Sequence, residues 1–311
     1  MPDSKLLHNL FQKRDLLRAG DERHREIRTA LLLCGGGPGL GAVGAGCACG
    51  FFSVGLAECF DYVFGVSAGA GTAAFCLAGW KQARIGITIF IEECTTRRYF
   101  NPFRSPMVDT DFIESVLRRG PKALDVAAVC RSRSEFYVAV TDANTGEFLM
   151  VDAKRALPDL VTAVKASIAV PGLDGRPVTL NGREVIDGGL HPLPLKRIIA
   201  ELQPTDLLIV PNCTRSAWEN AAPTILERAV GRILLQKHPP PVRRAIRERF
   251  QHFHEERRCL EELDGVNVGI LFAPYDVKPF GYDSRRFRLA ADAATDATRK
   301  LLTAAERRYR Q

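Results

Sequence analysis

Short apolar runs that alternate with helical segments are the feature of this sequence that most constrains its fold. A strand that is apolar on both faces belongs in a sheet covered on both sides, and such sheets are usually parallel. The alternation with helices favours the same arrangement, because parallel neighbours need a crossover connection. We therefore predict an α/β fold around a mainly parallel sheet, with strands at Thr29–Cys34, Tyr62–Phe64, Phe136–Thr141, Asp206–Pro211 and Val266–Phe272.

The remaining elements follow from helical periodicity and one turn signal. Asn181-Gly182 is a typical two-residue hairpin turn within Val178–Ile186. Residues 5–28 are polar with a weak apolar stripe, so we predict a helical arm over residues 1–28 and one domain over residues 29–311. Predicted helices span residues 42–59, 69–95, 157–168, 223–236, 241–258 and 284–308.

The cysteines and the N-terminus bear on the compartment. The nine cysteines are odd in number and lack a CxxC pair, which favours reduced thiols and gives no zinc site. The N-terminus has no apolar core of a signal peptide. Residues 30–57 carry no charge, but nine glycines and Pro38 argue against a membrane span. We expect a cytoplasmic protein and leave peripheral membrane association open.

Gly65-Val66-Ser67-Ala68-Gly69 matches the G-x-S-x-G pattern between a predicted strand and a predicted helix. This is the pattern of a nucleophile elbow, a turn so tight that the residues around the serine must be small. The turn presents the hydroxyl at a helix start, where the helix dipole favours developing negative charge. Ser67 is therefore the candidate nucleophile; the alternative is a serine that only caps a helix.

Gly35-Gly36-Gly37 follow the first predicted strand. Without side chains, their backbone N–H groups can approach an oxyanion closely and adopt unusual angles. Together with the N–H of Ala68 they would form an oxyanion hole, and a flexible surface loop is the alternative. A rival is the formal G-x-G-x-x-G of residues 39–44 with Glu58 nearby, which would indicate a dinucleotide site.

Asp187-Gly188-Gly189 follow the predicted hairpin, so that a carboxylate sits at a strand end beside glycines. Histidine is the usual base for a serine nucleophile, and His191 is the histidine nearest to a motif. The other histidines lie in charged or proline-rich surroundings. We favour a Ser67–Asp187 pair in which the carboxylate accepts the serine proton. His191 is the alternative base. If Asp187 has no catalytic role, it is simply an aspartate in a turn.

The ordered motifs resemble those of the patatin-like phospholipase family. They are the Gly35–Gly37 loop, residues 65–70, Lys165-Ala166-Ser167-Ile168-Ala169-Val170-Pro171, and residues 185–189. The resemblance implies a three-layer α/β/α sandwich, a Ser–Asp dyad, a fatty-acyl ester substrate, and neither metal nor organic cofactor. The family usually has G-G-G-x-R/K-G, whereas Pro38-Gly39-Leu40 lengthen this loop and remove its basic residue. A lipid-binding protein with impaired turnover is therefore the second hypothesis.

Residues 228–258 hold nine Arg or Lys against three Glu, a net charge of +6. Arginines at 243, 244, 247 and 249 surround apolar side chains at 246, 250 and 253 at helical spacing. Such a helix could lie on an anionic membrane, while a solvated helix packed by one apolar side is the plainer explanation. The sequence contains no nucleic-acid recognition motif, so we expect lipid rather than nucleic-acid partners.

Overall fold

A computed structural model describes residues 4–173, 176–191, 193–222, 235–260 and 263–311. Its centre is one eight-stranded sheet. The strands are β1 (Thr29–Leu33), β2 (Tyr62–Val66), β3 (Glu135–Asp142), β4 (Phe148–Asp152), β5 (Val178–Leu180), β6 (Arg183–Asp187), β7 (Asp206–Val210) and β8 (Asn267–Ile270).

Five strands form the parallel part of the sheet. β8, β7, β1, β2 and β3 pair in parallel in that order. Antiparallel pairing is confined to the side of β3, where β4 and β6 pair with β3 and β5 pairs with β6. The predicted mainly parallel sheet is therefore confirmed, with β4 as a strand that the sequence analysis did not predict.

Helices cover both faces of the sheet, as the sequence of β1 requires. Leu31 and Leu33 point into one apolar cluster, which also contains residues of the first, second and last helices. Ala30 and Leu32 point into a second cluster on the opposite face, together with Leu195 and Phe253. All five β1 residues are buried. The three-layer α/β/α sandwich follows from this two-sided burial.

The described helices that were predicted differ from their predicted spans mainly at their ends. Four further described helices were not predicted: Thr110–Arg118, Val126–Arg131, Leu195–Leu202 and Arg215–Glu219. Gly36 adopts φ 127° at the N-terminal boundary of the second helix, which starts at Gly37 rather than at residue 42. Gly79, at φ 100°, divides the predicted helix 69–95. The predicted helix 223–236 lies mostly outside the described residues. The helices are α1 (Ser4–Ala19), α2 (Gly37–Phe52), α3 (Ala68–Leu77), α4 (Trp80–Thr88), α5 (Thr110–Arg118), α6 (Val126–Arg131), α7 (Leu160–Ile168), α8 (Leu195–Leu202), α9 (Arg215–Glu219), α10 (Pro240–Cys259) and α11 (Ser284–Tyr309).

Single turns lie between these elements in the described ranges. They are the 3₁₀ turns Glu22–Glu26, Ala153–Arg155, Gly188–Leu190 and Leu235–Lys237, and the π turn Ile89–Glu93. The helix α1 packs its apolar side into the first cluster, and its buried Lys13 donates to the Ile27 carbonyl at 2.6 Å and pairs with Asp61. None of the nine cysteines is paired. Of the helices described, none combines the length and apolar character that crossing a bilayer would demand.

One edge of β3 carries two strands end to end. Residues 137–141 of β3 pair with β4. Of these, residues 137–139 also pair with β2, and residues 140 and 141 also pair with β6. A residue can pair with one strand on each side, so β2 and β6 must share the edge opposite β4. β2 ends at Val66 opposite Ala139, and β6 ends at Asp187 opposite Val140. The residue after Val66 therefore meets Asp187 at the junction.

The contact between α2 and α11 depends on glycines, which gives a test of the packing. A Cβ on Gly46 would lie 2.3 Å from the Ala291 carbonyl oxygen, so Gly46→Ala must push the helices apart. We expect a loss of about 1–3 kcal/mol in the free energy of unfolding, measured by urea denaturation.

Gly71→Ala in α3 is the matched control, because the nearest atom to its added Cβ lies at 3.9 Å. This variant should be neutral or more stable by up to about 1 kcal/mol, since alanine restricts the unfolded chain. Equal destabilisation by both substitutions would contradict this account of the helix contact.

Candidate active site

Ser67 lies in a sharp turn between β2 and α3, at φ 52° and ψ −125°. Positive φ is rare for a residue with a side chain and costs of order 1–3 kcal/mol, so the surroundings must hold it. They leave no room for larger neighbours: a Cβ on Gly65 would lie 2.3 Å from the Ala70 Cα, and one on Gly69 would lie 2.1 Å from the Leu33 oxygen. The G-x-S-x-G pattern thus has a steric cause.

The Ser67 hydroxyl donates a hydrogen bond to Oδ2 of Asp187 at 2.6 Å. Both residues are buried, with exposed fractions of 7% and 3%. The other carboxylate oxygen, Oδ1, accepts from the backbone N–H of Gly189. The backbone N–H of Asp187 donates to the Ala169 carbonyl at 3.0 Å. The carboxylate is therefore fixed in position and orientation beside the hydroxyl.

Burial raises the pKa of Asp187 from 3.8 to about 6. Three influences oppose the rise: the hydrogen bond from Ser67, the hydrogen bond from Gly189, and the positive charge of Arg249. The carboxylate is ionised above pH 6, where it can accept a proton, and its raised pKa makes it a stronger base than an exposed aspartate.

Of the predicted oxyanion residues, Gly35 and Ala68 lie next to Ser67, and Gly36 and Gly37 follow Gly35 in the same loop. A Cβ on Gly35 would lie 2.7 Å from the Ser67 Cβ, and Gly36 and Gly37 have φ of 127° and 78°. Gly37 begins α2 and Ala68 begins α3, so two helix N-termini point toward the same region. Among the described residues, no acceptor is bonded to the N–H groups of Gly35, Gly36, Gly37 or Ala68. These donors remain available to a bound oxyanion.

Two further polar residues, Ser167 and Asn212, bond to the backbone of the site, and neither was predicted from the sequence to have a role there. The Ser167 hydroxyl accepts from the N–H of Ser67 at 3.0 Å and donates to the Ala139 carbonyl at 2.7 Å. The buried Asn212 donates through Nδ2 to the Cys34 carbonyl, at the base of the Gly35–Gly37 loop. Ser167 lies in one of the motifs that resemble the family, and Asn212 follows an apolar predicted strand. The position of each residue in the sequence could therefore have identified it as a candidate.

The imidazole of His191 contacts groups other than the Ser67–Asp187 pair. Its Nε2 lies 3.1 Å from the Gly146 carbonyl, and its ring packs edge-on against Phe148 at 5.7 Å. Burial lowers its pKa. His191 borders a cleft of about 470 Å³ between α8 and α10, which is also lined by Leu193, Ala200, His252 and Phe253.

The structure does not support the dinucleotide alternative. Gly39, Gly41 and Gly44 lie inside α2, where added Cβ atoms would meet the Lys278 oxygen, Phe90 and Asn212. These glycines serve helix packing, whereas a phosphate loop needs them in the turn before the helix. Glu58 precedes β2 and therefore lies near the N-terminal end of that strand, whereas the glycine loop follows the C-terminal end of the parallel strand β1. Within the described ranges no group of three or more His, Cys, Asp or Glu could hold a metal ion.

The described part of the basic segment, residues 235–258, forms most of α10 and covers the Asp187 turn. Val242 and Ala245 of α10 share an apolar cluster with Ile186 and Leu190, and Phe253 packs against Trp218 at 4.8 Å. The apolar side of α10, which from the sequence alone could have contacted a membrane, thus packs against other parts of the protein. The outer side carries the exposed Arg244, Arg247 and Arg258 and the half-buried Arg243.

A profile of patatin-like phospholipases matches residues 31–199, which is more than half of the chain. The chain belongs to the patatin-like phospholipase family. The resemblance drawn from the motifs is thereby confirmed, and lipid hydrolysis is supported at the level of the family. Of solved structures, VipD from Legionella pneumophila is similar with a TM-score of 0.43 and 13% identity, over 90% of this chain and 67% of VipD. No curated protein matches the chain.

The pKa of Asp187 predicts the pH dependence of hydrolysis. Protonation removes the base, so kcat/KM for a water-soluble short-chain ester should fall about tenfold per pH unit below about pH 6. The measurement is a rate profile from pH 4 to 9, with circular dichroism at each pH to show that the protein stays folded. A profile that is flat through pH 6 would contradict the assignment of Asp187 as the base.

Proposed function

We propose that this protein is a lipid acyl hydrolase of the phospholipase A or lysophospholipase type, which cleaves fatty-acyl esters through a Ser67–Asp187 dyad. The observation that carries the proposal is the 2.6 Å hydrogen bond from the Ser67 hydroxyl to the buried Asp187 carboxylate. A serine with an activated hydroxyl at a helix start, next to free backbone donors, is equipped for acyl transfer.

In the first half of the reaction, the Ser67 oxygen attacks the ester carbonyl carbon while its proton moves to Oδ2 of Asp187. The negative charge that develops on the carbonyl oxygen is stabilised by backbone N–H groups from Gly35, Gly36, Gly37 and Ala68, and each such donor is typically worth about 10²–10³ in rate. When the tetrahedral intermediate collapses, the bond to the leaving oxygen breaks. Asp187 returns the proton to that oxygen, and the acyl group stays on Ser67.

The second half repeats these steps with water. Asp187 accepts a proton from the water as its oxygen attacks the acyl carbonyl carbon, and the same N–H groups stabilise the oxyanion. Collapse breaks the bond to Ser67, whose oxygen recovers the proton from Asp187. The products are a fatty acid and a regenerated enzyme.

The altered glycine loop motivates the second candidate, a lipid-binding protein with impaired turnover. Pro38, Gly39 and Leu40 lie in the first turns of α2, where the family usually has a basic residue. The backbone donors do not depend on that residue. The hydrogen bond between Ser67 and Asp187 does not depend on it either. We therefore favour turnover over simple binding.

The outer side of α10 supplies a means of approach to the substrate. Arg244, Arg247 and Arg258 are exposed on this helix, whose inner side packs on the Asp187 turn. Each basic residue near an anionic bilayer contributes about 1 kcal/mol of attraction. We propose peripheral contact with anionic membranes. The nine unpaired cysteines fit a reducing, cytoplasmic compartment.

The test is fatty-acid release from mixed phospholipid vesicles by the wild type, Ser67→Ala and Asp187→Asn. We expect a loss of at least about a thousandfold in both variants, because each removes a member of the dyad. His191→Ala is the control and should keep most of the activity, since its ring bonds to Gly146 rather than to the dyad.

Two results would contradict the proposal. Undiminished release by folded Asp187→Asn would assign the base to another group. A wild type that is inactive on phospholipid, lysophospholipid and neutral esters, yet binds lipid, would favour the impaired lipid-binding protein.

A further inference from the structure

An ordered surface loop presents a phenyl ring to solvent near the candidate active site. Phe103 has 92% of its surface exposed at the tip of residues 101–107. The loop is closed at its base by a bridge between Phe100 and Val108 and by the Asn101 N–H, which donates to the Met107 carbonyl at 2.7 Å. The exposed ring is therefore a property of a hydrogen-bonded loop.

A short series of aromatic contacts connects this loop with the Gly35–Gly37 loop. The Phe100 ring stacks on Phe280 with centroids 4.9 Å apart. Phe280 lies 3.4 Å from the position that a Cβ on Gly37 would take. Tyr282 donates from its hydroxyl to the Phe100 carbonyl at 3.0 Å, and 46% of its surface is exposed. Two exposed aromatic side chains thus lie on segments that reach the Gly35–Gly37 loop.

Basic residues lie on the same chain segments as these rings. The Arg97 guanidinium lies 5.8 Å from the Tyr282 ring centroid. Arg98 and Lys278 are exposed and lie two residues before Phe100 and Phe280, and the Arg98 guanidinium lies over the Phe112 ring at 4.1 Å. Three carboxylates lie on the same segments, against four basic residues including Arg104, and each has a partner. Asp109 pairs with Arg104 at 3.6 Å, Asp276 accepts from the Thr214 hydroxyl at 2.8 Å, and Asp283 accepts from the Arg286 N–H at the start of α11. The surface therefore combines aromatic rings with an excess of cations.

We propose that this surface, the aromatic patch (Phe103 and Tyr282 with Arg97, Arg98 and Lys278), docks the protein on an anionic phospholipid bilayer. Aromatic rings partition into the interfacial region of a bilayer, and cations are attracted to its anionic head groups. The inference deepens the proposed function, on which its purpose rests: docking here would bring ester groups at the bilayer surface close to the glycine loop and Ser67.

The direct test measures binding without turnover. In a Ser67→Ala background, we expect Phe103→Ala to reduce the partition coefficient about tenfold, since a buried phenyl side chain is worth about one order of magnitude in equilibrium. Binding is measured by sedimentation with phosphatidylcholine vesicles that contain about one third phosphatidylglycerol. Added salt or removal of phosphatidylglycerol should also weaken binding, because the cations contribute.

Trp80→Ala is the matched control. Trp80 is 47% exposed, has Arg84 above its ring at 5.8 Å, and follows α3, which runs away from Ser67. Its loss should leave vesicle binding unchanged. Equal partition of Phe103→Ala and its parent, or equal losses in both variants, would overturn the docking surface. Self-association in sedimentation velocity that Phe103→Ala abolishes, without a change in vesicle binding, would assign the patch to a second copy of the chain and would also overturn it.

A second readout separates this inference from the proposed function. With Ser67 intact, Phe103→Ala should hydrolyse a water-soluble short-chain ester at the wild-type rate but release fatty acid from vesicles several-fold more slowly. A wild type that binds vesicles through Phe103 but hydrolyses neither substrate would refute the proposed function and leave the docking surface standing. Loss of activity on the soluble ester in Phe103→Ala would show a role other than docking and would count against the inference.

Discussion

The shared edge of β3 is the constraint on which the rest of this structure depends. Because β2 and β6 lie end to end along it, the residue that follows Val66 meets the last residue of β6. Hydrogen bonds and close packing hold this junction in place. The Ser167 hydroxyl accepts from the Ser67 N–H and donates to the Ala139 carbonyl. The backbone at Gly188 packs so closely that an added Cβ would lie 2.3 Å from the Ala139 oxygen. Backbone pairing, rather than a flexible side-chain arrangement, thus brings a hydroxyl and a carboxylate together. The cost of a strained serine and a buried carboxylate is offset by the core on both faces of the sheet.

The two sides of the site differ in ways that fit a substrate held in a bilayer. On the Asp187 side, α10 covers the turn with apolar residues and presents arginines outward. On the glycine-loop side, Phe280 and Phe100 lead to exposed aromatic rings. In our account, the dyad performs the chemistry and the two flanks bring it to a lipid surface.

The sequence predicted the parts of this structure that depend on local patterns. Buried strands such as Thr29–Leu33 are apolar on both faces, and the glycines around Ser67 record a turn that tolerates no larger side chain. It could not predict what depends on long-range pairing. The end-to-end junction on β3 requires the registers of three strands, and β4 is a short strand that is mostly half-buried. The role of Asn212 depends on the distant Cys34 carbonyl, and the aromatic patch joins residues about 180 positions apart.

The Ser67–Asp187 dyad is tested most directly by the site and rate of modification by a fluorophosphonate probe, read by peptide mass spectrometry. We expect one adduct, on Ser67, that forms much more slowly in Asp187→Asn at pH 8 while the variant keeps its fold. The adduct should form at an undiminished rate in His191→Ala. Modification of a different residue, or equally fast modification of Ser67 without the Asp187 carboxylate, would contradict the Ser67–Asp187 dyad.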